Sequence, residues 1–308
     1  MTKLSAIIVT IGAKDYINSS LDSLLNQTCR PEEVIIIDNS LKPDFSRQIN
    51  KLYLAVKVFS GLQNLFYAEG LNKGIRLSSG EFILCLNDDV ILDKNFVRQA
   101  LAGFLINEKV GIVGGKVLRR NGKILDSTGL FLTLWRTAKD RGYGMRDSGR
   151  FDKAGFVFGV NGSVVLYRRR MLEEIKGTNG YFDSKFRMFY EDLDISWRAK
   201  RMGWFAYYAP AALAYHVRGG SFRCDSGIDK PIARRYLNEE LHYELIKNRY
   251  LAILKNESFI GLLLHFIPIF IYDLCVWFFI LVFQPKLIKF IFSRLKGKIA
   301  PERKTFDN

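Results

Sequence analysis

The stretch Glu81-Phe82-Ile83-Leu84-Cys85-Leu86-Asn87-Asp88-Asp89 decides the fold class. From Phe82 to Leu86 it is apolar without a break, which suits a strand buried on both faces; a strand with one wet face alternates instead. Carboxylates that follow such a strand stand at the carboxyl edge of the sheet, where open α/β sheets bind ligands. A hard divalent cation takes oxygen ligands, commonly one or two protein carboxylates plus substrate phosphates, and Asp88 and Asp89 offer them. Ordinary turn chemistry produces the same dipeptide, so its meaning depends on its neighbours.

Upstream, strand-like and helix-like segments alternate. Leu4 to Ile11 is apolar and β-branched, Ile17, Leu21, Leu24 and Leu25 follow at helical spacing, and Val34 to Ile37 is a second buried strand closed by Asp38-Asn39. Val56 to Phe59 gives a weaker third strand, and a short helix near Gly70 to Leu77 leads into the quoted stretch. This is the pattern of a doubly wound sheet. Asp38 ends its strand as Asp88 ends its own, so both are expected to face one nucleotide crevice. Neither GxGxxG nor GxxxxGK[ST] occurs, which argues against a dinucleotide fold or a P-loop and leaves the phosphates needing a metal.

Downstream, Val110 to Leu118 reads as a strand, and Asn121 to Asp152, rich in charge and glycine, as a mobile loop region. Gly155 to Tyr167 is strand-like around Gly159-Val160-Asn161-Gly162-Ser163, a small-residue break that marks either close approach by a ligand or a simple bulge. In Tyr190-Glu191-Asp192-Leu193-Asp194, the acids open a helix whose Ile195, Ala199 and Met202 repeat at helical spacing and whose cap is Gly203. The positive helix end favours ionised carboxylates there, and one within reach of a hydroxyl acts as a general base. Asp194 is assigned to pairing with Arg198, and Asp192 to chemistry. An apolar run after Pro210 ends in His216, followed by Gly219-Gly220-Ser221, and a strand-end histidine there suits a metal or diphosphate contact.

The composition bounds the partners. The chain has 308 residues with formal net charge +15, so an anionic partner is expected: phosphorylated substrate, acidic lipid or nucleic acid. Four cysteines without a CxxC pair argue against a zinc site or disulfide framework and for a reducing compartment. The N-terminus reads as a first strand and not a signal peptide, which places the enzyme-like part in the cytoplasm. Phe259 to Phe283 is almost wholly apolar and long enough to cross a bilayer, yet contains His265, Pro268 and Asp273 and has basic flanks. A re-entrant hairpin or helices lying in the membrane interface fit it better than a simple crossing, with a buried core or dimer helix pair as the other choice. Arg168-Arg169-Arg170 is the one candidate nucleic-acid patch, and no nucleic-acid partner is expected from it.

Taken in order, these motifs resemble the inverting family 2 glycosyltransferases with the GT-A fold: residues 23–28 (Ser-Leu-Leu-Asn-Gln-Thr), 34–39, Gly70 to Gly74, Asn87-Asp88-Asp89, Tyr190-Glu191-Asp192 and His216 to Ser221. The resemblance implies a GT-A type doubly wound mixed sheet over residues 1–225, with a nucleotide-sugar half near 1–118 and an acceptor half near 119–225, and a membrane-associating region at 226–308. It implies that Thr10, Asp38, Asn72 and Asp88 bind the donor nucleotide. Asp89 and His216 would hold Mn²⁺ or Mg²⁺, Asp192 would be the base with Glu191 beside it, and Asn161, Gly162 and Trp197 would line the acceptor side. The partners implied are a nucleoside-diphosphate sugar, a lipid-linked or polysaccharide acceptor, the anionic cytoplasmic face of the cell membrane and a second copy in a homodimer. Val9-Thr10-Ile11-Gly12-Ala13 departs from the family's usual first-strand ending, and Asn87 in place of Asp resembles the rhamnosyltransferase-type branch. A metal-dependent sugar nucleotidyltransferase is the alternative enzyme, although the apolar tail would be idle in it.

Overall fold

The computed structural model describes residues 3–12, 14–217 and 238–296. The first half winds as β1 (Leu4–Thr10), α1 (Lys14–Leu25), β2 (Glu33–Asp38), α2 (Pro43–Leu52), β3 (Val56–Ser60), α3 (Phe66–Leu77), β4 (Phe82–Asn87), β5 (Val90–Leu92) and α4 (Phe96–Ala102). It continues through β6 (Val110–Arg119), β7 (Leu125–Ser127), β8 (Leu130–Leu132), β9 (Ala138–Asp140), β10 (Gly155–Val157), β11 (Val164–Arg168), α5 (Arg169–Ile175), α6 (Glu191–Arg201) and β12 (Phe205–His216). Three helices follow: α7 (Glu239–Asn256), α8 (Phe259–Phe283) and α9 (Pro285–Leu295).

The main sheet runs β10-β12-β6-β11-β4-β1-β2-β3, with β5 on β12 and β7 on β6. β4, β1, β2 and β3 are parallel, and β11 lies antiparallel between β4 and β6. Consecutive residues of β1 enter opposite cores: Ile8 packs with Leu24, Ile36, Leu84 and Phe96, whereas Ile7 packs with Ile35, Ile75, Ile83 and Trp204. Both faces are therefore covered by helices, and that is why these strands read as continuous apolar runs. Gly74 lets α3 sit against the sheet, since a Cβ there would come within 2.4 Å of Ile7 Cγ2.

Several expectations change. Asn121 to Asp152 is structured: β7 joins the main sheet, β8 and β9 form their own hairpin, and Lys116 gathers Asp147 and Asp152. Its charges are paired, which the composition alone does not show. Gly155 to Tyr167 is two strands, β10 on β12 and β11 between β4 and β6, with the small-residue break as the crossing between them. Residues 205–216 are one strand whose register against β6 slips between Ala209 and Leu213 to absorb Pro210. Arg168 and Arg169 are not an open basic face: Arg168 donates to the carbonyls of Val110 and Phe104, and Arg169 to those of Gly80 and Ser78.

Asn72 also has a different place from the one the resemblance implies. It is fully buried on α3, its Nδ2 donates to the Phe182 carbonyl at 2.8 Å, and its Oδ1 accepts from the Phe182 N–H at 2.9 Å. It pins the loop before α6 against α3, and Gly180, at φ +101°, passes so close that a Cβ would lie 2.6 Å from Asn72 Nδ2. Asn72→Ala leaves buried main-chain groups unpaired and should lower stability by about 2–4 kcal/mol, with donor KM unchanged. Denaturant unfolding beside donor titration checks this; a raised KM at unchanged stability would return Asn72 to the donor site.

Candidate active site

Strand register gathers the first group of side chains. Thr10 is level with Asp38, Asp38 with Ser60, and Val9 with Asn87, so four neighbouring strands end together at the carboxyl edge. Asp38 accepts from Ser60 Oγ and the Ser40 N–H, each at 2.8 Å, which fixes its carboxylate at the rim. Thr10 donates its hydroxyl to Asp88 and accepts from the Gly12 N–H at 2.9 Å. Burial pushes Asp88 up to about 6, with the charge of Asp89 adding to the rise and the Thr10 hydrogen bond opposing it. The structure thus brings Thr10 and Asp88 into contact and sets Asp38 on the same edge.

The second group is centred on His216, the last residue of β12. Its Nδ1 lies 2.8 Å from Asp126 Oδ2 and its Nε2 lies 3.1 Å from Asp89 Oδ1. Asp126 is fully buried on β7, and Arg119, also buried, approaches its other oxygen at 3.8 Å. Burial by itself would lower the imidazole's pKa, but its hydrogen bonds to Asp126 and Asp89 override that and push it up to about 9. Sequence reasoning missed Asp126 and Arg119. Asp126 sits in the segment read as loop, and only the pairing of β7 with β6 carries it beneath His216.

This geometry bears on a divalent cation. Among the described residues no group of three or more His, Cys, Asp and Glu side chains forms a ready-made cage. Asp89 and His216 face one another, however, and the second imidazole nitrogen rests on a carboxylate, the arrangement that orients metal-binding histidines. One carboxylate and one imidazole, with substrate phosphates completing the shell, fit an ion of the Mg²⁺ or Mn²⁺ type.

The third group comes from the start of α6. Asp192 Oδ2 accepts from the Gly162 N–H at 3.1 Å, and its Oδ1 from the Leu193 N–H at 2.7 Å. Burial raises its pKa while those N–H bonds hold it back. Glu191 is more enclosed, its Oε2 has no hydrogen-bond partner, and burial beside Asp192 pushes it up to about 8. Asp192 is half-buried, whereas Glu191 is buried. The Tyr67 hydroxyl, another residue missed from sequence, lies 2.9 Å from both Asn87 Oδ1 and the Gly162 carbonyl. It joins the end of β4 to the loop beneath Asp192, so the two acidic motifs are tied together through one hydroxyl.

Asn161 bonds Asp140 Oδ1 at 3.0 Å, which anchors the Gly162 loop to the β8–β9 hairpin. Trp197 does not line the crevice: it is buried among Phe186, Leu193 and Ala252 and meets Phe158 edge-on, because it sits on the core side of α6. Asp194 pairs with Arg198 at 2.9 Å, as its spacing implies. The loop entering α6 has Arg187, Phe189 and Tyr190 at positive φ. Asn248 of α7 donates to the carbonyls of Phe186, Met188 and Phe189, holding this strained turn in place. The Gly219-Gly220-Ser221 segment lies outside the described residues.

Comparison with known proteins places these observations. Residues 5–176, more than half of the chain, match the family model described as glycosyl transferase family 2. A poly-beta-1,6-N-acetyl-D-glucosamine synthase of Staphylococcus epidermidis is 25% identical over 226 residues, covering 69% of this chain and 49% of the relative. The Staphylococcus aureus protein of the same name is 24% identical over 221 residues, with the same coverage of 69% and 49%. The chain therefore spans about half the length of the curated relatives it matches. Among solved structures, GalNAc-T7 with UDP, GalNAc and Mn²⁺ aligns with TM-score 0.60 at 15% identity, over 82% of this chain and 48% of that one. S. aureus TarS 1–349 in complex with UDP-GlcNAc aligns with TM-score 0.55 at 19% identity, over 83% and 68%. These likenesses establish the mixed α/β fold with its GT-A-like neighbours.

The proton on Glu191 has a measurable signature. Between its ordinary value of 4.5 and about 8, the folded chain retains a proton that the unfolded chain has released, so stability falls as pH rises through that window. Glu191→Gln cannot ionise, and its melting temperature relative to the parent should climb from about pH 5 to about pH 8. Parallel pH curves would show that Glu191 is already ionised in the fold.

Proposed function

The chain belongs to glycosyl transferase family 2, and on that premise we propose that it moves a sugar, with inversion, from a nucleoside-diphosphate sugar to a hydroxyl of a lipid-linked glycan in cell-surface polysaccharide synthesis. The observation that supports this reading is the Tyr67 bridge, which ties Asn87, next to Asp88-Asp89, to Gly162, whose N–H bonds Asp192.

Thr10, Asp38 and Asp88 form the donor rim. Asp89 and His216 would hold the divalent cation, which would supply charge to offset that building on the diphosphate leaving group. Asp192, fixed by two main-chain N–H groups, accepts the proton of the attacking hydroxyl. Its raised pKa makes it a better base than an ordinary surface aspartate. Glu191, enclosed and protonated at neutral pH, keeps a second negative charge away from Asp192. Attack from the Asp192 side, opposite the leaving group, inverts the anomeric centre and needs no covalent sugar intermediate.

The relatives named as N-acetylglucosamine polymer synthases and the neighbour solved with UDP-GlcNAc favour a UDP-sugar donor. Asn87 keeps dTDP-rhamnose as the second donor to try. Residues 1–225 are taken as catalytic and 226–308 as membrane-associating, on the cytoplasmic face; that boundary falls outside the described residues. The apolar α8 carries the membrane assignment.

Incubation with Mn²⁺ or Mg²⁺ and a panel of UDP-, GDP- and dTDP-sugars should release one nucleoside diphosphate, faster with a lipid-linked acceptor extract. No release and no thermal stabilisation by any donor would favour the nucleotidyltransferase alternative. Asp192→Asn should lower kcat/KM by about 10²–10⁴-fold with donor affinity kept; near-normal transfer would remove Asp192 as base. Asp126→Asn should weaken Mn²⁺ binding about 10–100-fold, read by electron paramagnetic resonance titration without substrate. Unchanged affinity would separate His216 from the metal.

A further inference from the structure

The helix α8 is apolar all round, but only one stripe of it is covered. Gly261, Ile269 and Ile280 are buried, and His265, Tyr272, Asp273 and Trp277 on the same stripe are half-buried. These positions repeat every three to four residues, so one face of the helix is docked along its whole length. Opposite them Leu264, Ile267, Ile271, Leu274, Phe278 and Leu281 are each more than half exposed. Its 25 residues form one continuous helix through Pro268, which removes the hairpin expected within residues 259–283. The exposure of that face likewise removes the buried-core reading.

What the docked stripe touches decides the orientation. His265 meets Arg136 at 2.9 Å, Asp273 pairs with Arg249, and Tyr272 stacks on Trp135 with ring centroids 6.0 Å apart. Arg249 also donates to the Trp135 carbonyl at 2.7 Å. Trp135 and Arg136 belong to the turn between β8 and β9, so the middle of α8 is fastened to that hairpin by a hydrogen bond and a ring stack, and to α7 by one ion pair. A crossing helix would carry its midpoint, and with it Arg136, Arg249 and the hairpin, into hydrocarbon, where charge is costly.

We propose that α8 lies in the plane of the membrane as the floor of the enzyme, its exposed apolar face sunk in the interface of an anionic phospholipid bilayer. This inference rests on the membrane association proposed above and fixes its geometry. The charges select the occupant: Lys286 and Lys289 are exposed on α9, and Lys296 is exposed just past its end, and α9 packs on α8 and α7. At the other side Leu134, 61% exposed at the hairpin tip, stands next to Trp135, with Lys139 close by. A helix of this kind, apolar below and basic at its margins, binds anionic interfaces. The hairpin that touches the floor through its tip also holds Asn161 through Asp140, so the membrane side and the Gly162–Asp192 loop are one connected unit. An acceptor carried in the bilayer would reach Asp192 from that side.

The test is a depth measurement on the full chain bound to phosphatidylcholine–phosphatidylglycerol vesicles. Single nitroxide labels go on Leu134→Cys, Leu264→Cys, Ile271→Cys and Phe278→Cys, with exposed Cys275 changed to Ser. The in-plane helix predicts similar shallow depths at every label. A maximum at Ile271 with shallower ends would mean a crossing, and labels shielded from lipid in proportion to protein concentration would mean a second copy covers the face; either overturns the proposal. Changing Lys286, Lys289 and Lys296 together to Gln should weaken partitioning onto the anionic vesicles on the order of 100-fold, with little change on phosphatidylcholine alone. Equal loss on both, or none, contradicts the charge argument. Vesicle binding is read without donor or acceptor, so it can fail while sugar transfer stands, and the reverse.

Discussion

The structure depends on gathering carboxylates at one edge of a sheet buried on both faces. Asp38, Asp88, Asp89, Asp126, Glu191 and Asp192 come from separate parts of the chain, and like charges brought together in low dielectric repel strongly. The fold answers each with a different device. Asp38 is held by a hydroxyl and an N–H, Asp88 by Thr10, and Asp89 and Asp126 by His216 between them. Asp192 is held by two N–H groups, and Glu191 stays protonated. Asp126 and Glu191 end up buried, whereas Asp88, Asp89 and Asp192 stay partly exposed, so the arrangement that makes the edge tolerable leaves carboxylates at its surface.

The helices after the catalytic sheet belong to this arrangement. Asn248 closes the strained turn before Glu191, Asn256 bonds Asp194 at 2.9 Å, and Lys255 pairs with Asp183 and Asp194. Through α7, the loop entering α6 and the apolar α8 are mechanically continuous. A tail that merely tethered the enzyme would need none of these contacts.

Much of this was legible in the chain. The unbroken apolar runs ending in Asp38-Asn39 and Asn87-Asp88-Asp89 identified the parallel sheet and its carboxyl edge, because a strand buried twice leaves no other pattern. The acids before Leu193 were placed correctly at a helix start, and Asp194 with Arg198 followed from spacing. Legibility failed where partners come from far away in sequence. Asp126 looks like loop charge until β7 pairs with β6, Tyr67 looks like a core aromatic until its hydroxyl meets Asn87 and Gly162, and Asn72 looks like a donor ligand until Phe182 arrives. The orientation of α8 was equally hidden, since an all-apolar helix does not announce which stripe is docked.

The most direct test of the account is the anomeric configuration of the product, read by proton NMR coupling during the first turnovers with whichever donor is consumed. A base at Asp192 acting opposite the leaving group predicts a product inverted relative to the donor. A product with the donor's configuration would require a nucleophile on the protein or attack from the leaving-group side, and would contradict the role assigned to Asp192.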